Sequence, residues 1–253
     1  MIARYVLVEA RRTGFGWSAL AALLLAMGLA VFLGQVSITE SADTRALVAA
    51  AVLRAAAVFL LAAHVVGSLA REFNDKGVEL ALALPVSRPS WYLGKLAGFA
   101  LAGLLLSALF ALPLLAFAPA TATARWGLSL GGELCLVGAA ALFFAATFSQ
   151  GMTALVAVTG FYLLARAMPA IQAIARSPLT DGPEGASALG EAARWTVDAL
   201  ALFLPRLENA ASAAWLVHGL PTWSAQLEAL AGMAIYFVLL AGAGLFDFGR
   251  RNF

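Results

Sequence analysis

Arg54, His64, Glu133 and Arg166 are ionisable residues that fall well inside long apolar runs of this 253-residue chain. Counted from the ends of their runs, Arg54, Glu133 and Arg166 lie at a similar depth, so a Glu133 ion pair with one arginine is geometrically open. Charges at such depth are costly and are usually paired or turned toward a cavity. The alternatives are a purely structural pair, or arginines that snorkel to headgroups. His64 reads as an interfacial histidine, since the next histidine is His218 and no His-Glu-x-x-His motif occurs. Cys135 is the single cysteine and forms no intrachain disulfide. Gly94-Lys95 is followed by Leu96 and lacks the upstream glycine of a phosphate-binding loop, so no nucleotide site is expected. No convergent nucleophile, base or metal set suggests an enzyme.

The elements that carry these residues follow from composition. The chain is 62% hydrophobic and 12% charged with a mean hydropathy of +0.90, whereas a soluble domain carries about 25% charged residues. A membrane-crossing helix needs about 20 apolar residues. Six runs qualify: Phe15–Gly34, Leu47–Leu69, Tyr92–Phe117, Gly127–Phe148, Met152–Ala175 and Ser224–Phe246. They are continuously apolar rather than alternating, which favours an all-α bundle over a β-barrel. The first run exceeds the roughly 7–15 residues of a signal-peptide core and reads as a retained span. Gly94/Gly98 and Gly127/Gly131 are spaced for close helix approach.

Basic residues orient the bundle. Arg4, Arg11, Arg12, Arg71, Lys76, Arg88, Lys95, Arg250 and Arg251 fall on one side, against Arg45, Arg125, Arg176, Arg194 and Arg206 on the other. Both termini are therefore expected in the cytoplasm, with the chain in the cytoplasmic (inner) membrane. The dense charged island Arg71-Glu72-Phe73-Asn74-Asp75-Lys76-Gly77-Val78-Glu79-Leu80 becomes a cytoplasmic loop. Phe73, Gly77, Leu80 and Leu84 recur at steps of four, three and four, one stripe of a short helix that Pro85 would end. Read alone, this is either a docking element for a soluble partner or an ordinary solvated loop.

The string Arg71-Glu72, Gly77, Glu79-Leu80, Leu84-Pro85-Val86-Ser87-Arg88 and Tyr92-Leu93-Gly94-Lys95 resembles the segment between spans two and three of type-2 ATP-binding-cassette (ABC) transporter permeases. The resemblance implies a single permease domain over 1–253, with residues 70–90 as the coupling segment. Arg71, Glu72, Phe73, Asp75, Lys76, Gly77, Glu79, Leu80, Leu84, Pro85 and Arg88 would seat in a separate cytoplasmic ATPase. Glu72 and Glu79 would make polar contacts there, Leu80 and Leu84 would pack, and Gly94-Lys95 would mark the return to the membrane. It also implies an interfacial helix over 1–14, with Ile2, Tyr5, Val6 and Val8 toward lipid and Arg4, Arg11 and Arg12 toward headgroups; without it, this segment is equally a basic topogenic N-terminus. ATP and magnesium would be held by two copies of the partner ATPase and none by this chain. A second permease copy or paralogue would complete the transporter in the bilayer, and no nucleic acid partner is expected.

Residues 177–223 form the remaining polar segment, expected on the extracytoplasmic side. Ser177–Gly185 reads as an irregular loop, and Ala188–Leu204 and Leu207–His218 read as two short helices forming a lid over the bundle. The function expected is export driven by a partner's ATP hydrolysis. The alternative is ATP-driven assembly or maturation of an extracytoplasmic protein. An interior with few charges favours an amphiphilic or lipid-like cargo over a small ion.

Overall fold

Where no water reaches the backbone, each N–H and C=O must be satisfied within its own segment, so long runs of Ala, Leu and Val coil into helices. The structure, a computed structural model, describes residues 2–36, 41–75, 87–148, 150–176, 188–207 and 210–250. Those residues form eight α-helices and no strand: α1 Ile2–Arg12, α2 Phe15–Val36, α3 Ser41–Asn74, α4 Arg88–Ala111, α5 Ala120–Thr147, α6 Gly151–Ala175, α7 Ala188–Phe203 and α8 Trp223–Arg250. Helices α2 to α6 and α8 are long and apolar enough to cross a membrane, which makes this an all-helical, multi-pass membrane protein by length and composition.

Each of the six apolar runs is found, but helices overrun them, α3, α4, α5 and α8 by four residues or more at one end. At about 1.5 Å per residue, the 34 residues of α3 exceed a hydrocarbon core of roughly 30 Å. Arg71, Glu72 and Phe73 are therefore the last turn of this span, continuous with it. Helix α4 starts at Arg88 because the Ser87 hydroxyl caps it, accepting from the Ser90 N–H at 3.3 Å, and because Pro89 suits a first turn. Lys95 thus lies two turns inside the helix. Helix α5 starts at Ala120, which places Arg125 and Trp126 within the bundle.

Helix α5 is the axis. It packs on α3, α4, α6 and α8, and 72% of its most apolar stretch is buried against 11% in α8. Small residues permit this: a Cβ on Gly131 would meet Leu104 of α4 at 2.9 Å, and one on Gly127 would meet Ala111 at 3.0 Å. Helix α2 lies outside, burying Ala19, Ala26 and Ala30 against α3. Leu24, Leu25, Phe32, Val156, Leu163, Val238 and Leu239 face outward, an apolar exterior suited to lipid.

Helix α1 corrects one expectation. Ile2 and Val6 do not face lipid; they pack into α4 where Gly94 and Gly98 leave room, and a Cβ on either glycine would come within 2.8 or 2.7 Å of them. Val6 is fully buried, while Tyr5 and Val8 remain exposed. Gly14, at φ +77°, then turns the chain into α2 in a conformation that suits glycine.

The segment before α8 corrects another. Ala188–Phe203 is helical as expected, but no helix spans Leu207–His218. Among the described residues there, Ala213–Leu216 is a single 3-10 turn and the rest is irregular. Leu207, Ala210 and Ala211 are nonetheless fully buried. Buried irregular backbone requires hydrogen-bond partners, and arginines and a tryptophan of the spans supply them.

Candidate functional sites at the two ends of the bundle

At the end that carries α1, five side chains from three helices converge. Glu9 is the acidic member of an otherwise basic α1 and shares its inward stripe with Ile2 and Val6. Its carboxylate accepts from Ser68 Oγ at 2.8 Å and from Arg71 Nη2 at 3.0 Å, both on α3. Lys95 Nζ stands 3.9 Å from Glu9 Oε2 and is bonded to Glu72 Oε1. The Lys95 side chain is only 2% exposed. Its ammonium is also ringed by Tyr5, Trp91 and Phe99, 5.2 to 5.9 Å from their centroids, where the ring faces favour a cation. Burial pushes the Glu9 carboxyl up, but the Ser68 and Arg71 hydrogen bonds and the charges of Lys95 and Arg71 outweigh it and hold the group below the ordinary carboxylate value.

Contacts on the far side of the 70–90 segment tie another pair of helices. Arg88 donates to the Gly249 carbonyl at 3.2 Å, and Trp91 stacks on Phe248 at 5.0 Å, tying α4 to the end of α8. Gly244 lets Tyr92 lie against α8, because a Cβ there would collide with the tyrosine ring. His64 sits nearby, buried against the Phe15 ring at 4.6 Å.

At the opposite end the cations bind backbone. Glu133, fully buried, accepts from Tyr162 at 2.8 Å and pairs with Arg166 at 3.4 Å. Arg166 also donates to the Leu207 carbonyl at 2.8 Å. Arg54 does not pair with Glu133: its Nη1 donates to the Ala211 carbonyl at 2.8 Å, which also accepts from Trp126 Nε1 at 3.0 Å. Ala211 is held at φ +44°, a left-handed conformation that costs an L-residue about 1 kcal/mol. Arg125 completes the set, donating to Gln226 Oε1 at 2.5 Å and to the Pro221 carbonyl at 2.7 Å, with its guanidinium 4.1 Å from the Trp223 ring. Gln226 answers through Nε2 to the Arg125 carbonyl and Ser129 Oγ, each at 3.0 Å.

Of the residues that the sequence suggested for coupling, Arg71, Glu72, Phe73, Asp75 and Arg88 are described. Glu72 turns inward to Lys95, Phe73 packs against the core and Asp75 is exposed. Lys76, Gly77, Glu79, Leu80, Leu84 and Pro85 lie outside the described residues, as does the expected loop Ser177–Gly185. Sequence reasoning missed Glu9, Lys95 and Arg125 as site residues. The signal for the first two was present, since Glu9 follows Ile2 and Val6 at helical spacing, and Lys95 lies one turn from both Trp91 and Phe99. Among the described residues, no group of three or more His, Cys, Asp or Glu side chains is placed to hold a metal.

These features define the class: a six-span helical membrane protein with a side-chain ion cluster at one end and an arginine-clamped cap at the other. In comparison with known proteins, no family model and no curated sequence matches the chain.

Proposed function

We propose that this chain is the permease subunit of an ABC transporter, working with a second permease and two cytoplasmic ATPase subunits to export a substrate across the cytoplasmic membrane. Both termini and the 70–90 segment then face the cytoplasm. Closure of the ATPases on ATP would push that segment and tilt the helices it joins, so this chain contributes levers and a pathway while its partner does the hydrolysis.

The observation that carries this reading is how both flanks of the segment are anchored. On the entering side, Arg71 and Glu72 hold Glu9 of α1 and Lys95 of α4. On the leaving side, Arg88 and Trp91 hold the end of α8. A displacement between these flanks is transmitted to α1, α3, α4 and α8 together. Packing is bistable rather than softly deformable, so such a push favours a discrete rearrangement.

The test is affinity capture of the protein from mild detergent, identification of what accompanies it, and an ATPase assay on the eluate. The expected result is a stoichiometric ATPase that Glu79→Arg or Leu80→Asp removes while membrane insertion persists. Capture without any ATPase, or normal association of both variants, would overturn the proposal.

A further inference from the structure

Between α7 and α8 lies a cavity of about 520 Å³, within the size range of small-molecule sites. Its walls are chemically divided. Arg206 and Glu228 both line it, yet they form no ion pair or side-chain hydrogen bond among the described residues. Both are exposed, whereas Arg54, Arg125 and Arg166 at the same end each have close acceptors. Ala229, Gly232 and Met233 continue the wall along α8, and Leu202 closes it from α7. The Tyr236 hydroxyl donates to the Leu202 carbonyl at 2.8 Å and fastens the two helices across it.

Depth identifies the occupant. Helix α8 carries no charge from Ala229 to Phe246, a length of about 27 Å that nearly fills a hydrocarbon core of roughly 30 Å. Glu228 therefore lies at headgroup level, and Gly232, Met233 and Tyr236 run from it toward the acyl region. Leu202 of the lining, its neighbour Phe203, and Trp223, Leu227 and Ile235 of α8 are each at least 59% exposed, an apolar surface that lipid would cover. A ligand that satisfies every wall has an anion for Arg206, an ammonium for Glu228 and a tail that leaves along an apolar groove.

We infer that this cavity binds one phosphatidylethanolamine of the adjacent leaflet, its phosphate on Arg206, its ammonium on Glu228 and its chains against α8. The inference rests on the six spans and is independent of any ATPase partner, so failure of either leaves the other standing.

The experiment is native mass spectrometry of the purified, delipidated full chain titrated with phosphatidylethanolamine, phosphatidylglycerol or tail-less glycerophosphoethanolamine. One phosphatidylethanolamine should bind roughly tenfold tighter than phosphatidylglycerol, the order expected for one charged hydrogen bond. Glu228→Gln should erase that preference, and Arg206→Gln should weaken both lipids. Gly232→Leu fills the cavity where an added Cβ meets nothing within 4 Å; it should abolish binding while the protein melts normally. Equal binding of the two lipids, or unchanged binding by Gly232→Leu, would overturn the inference. So would equal competition by the tail-less head, which would make this a site for a soluble zwitterion.

Discussion

The two ends of the bundle solve opposite problems with similar residues. At the α1 end, Lys95 and Arg71 meet carboxylates, so helices are joined through side-chain pairs that can be exchanged, screened or protonated. At the other end, Arg54, Arg125 and Arg166 each meet carbonyls of irregular backbone, which has few alternative partners, and Arg125 and Arg166 also hold Gln226 and Glu133. The first kind of joint can be remade in a second geometry. The second fixes one geometry, and the Ala211 strain it sustains shows how firmly. A permease of the kind proposed, moved by a push at one end, would need this division, since a cap that shifted with every push would leave its pathway without a defined exit.

The comparison is broken most severely at Lys95. Replacing it by methionine leaves Glu9 and Glu72 without their buried cation, at an expected cost of about 3 to 5 kcal/mol. Helix α1 should then become protease-sensitive while residues 204–216 stay protected, and equal loosening of both ends would refute the division. Arg166→Met is the mirror test. It strands the Leu207 carbonyl and Glu133, for about 2 to 3 kcal/mol, and cleavage should move to the segment before α8. If the melting temperature in detergent does not fall, the clamp is not a source of stability.

Glu133→Gln sharpens the contrast within one site. The amide oxygen still accepts from Tyr162 while the charge facing Arg166 is lost, so a drop of about 1 to 2 kcal/mol is expected. A drop no larger than that of an exposed control such as Glu191→Gln would remove the ion pair from the account. Acid should produce the smallest effect, and at one end only. The Glu9 carboxyl lies below its ordinary value of 4.5 when folded, so its contribution is fully present above that value and is lost as pH falls through the lowered one. Read as the difference between wild type and Glu9→Gln, docking of α1 should lose the Glu9 contribution below 4.5. Earlier weakening in wild type, or the same weakening in Glu9→Gln, would assign the effect elsewhere.

The spans were legible in the sequence because a hydrocarbon solvent leaves little choice: unbroken runs such as Leu47–Leu69 must be helices. Their ends were less so, since α3 continues through Arg71 and Glu72 once those charges find partners on other elements. The cap was misread for the same reason. Leu207–His218 has a helical composition, and only long-range donors from Arg54, Arg166 and Trp126 make the irregular backbone there tolerable. That Glu133 could pair with one arginine was legible from depth, but whether with Arg54 or Arg166 was not. Arg54 could not be assigned, because which acceptor an arginine chooses is a tertiary fact. Lys95 looked like a loop boundary until the Ser87 cap moved the start of α4.

The central claim is that movement enters through the α1 end while the cap holds. Amide hydrogen exchange of the complex with the proposed ATPase, with and without ATP, measures this directly. The account predicts ATP-dependent exchange changes across Ile2–Arg12 and the last turn of α3, with little change over 210–216. Unchanged exchange at the α1 end while ATP is being hydrolysed would contradict it.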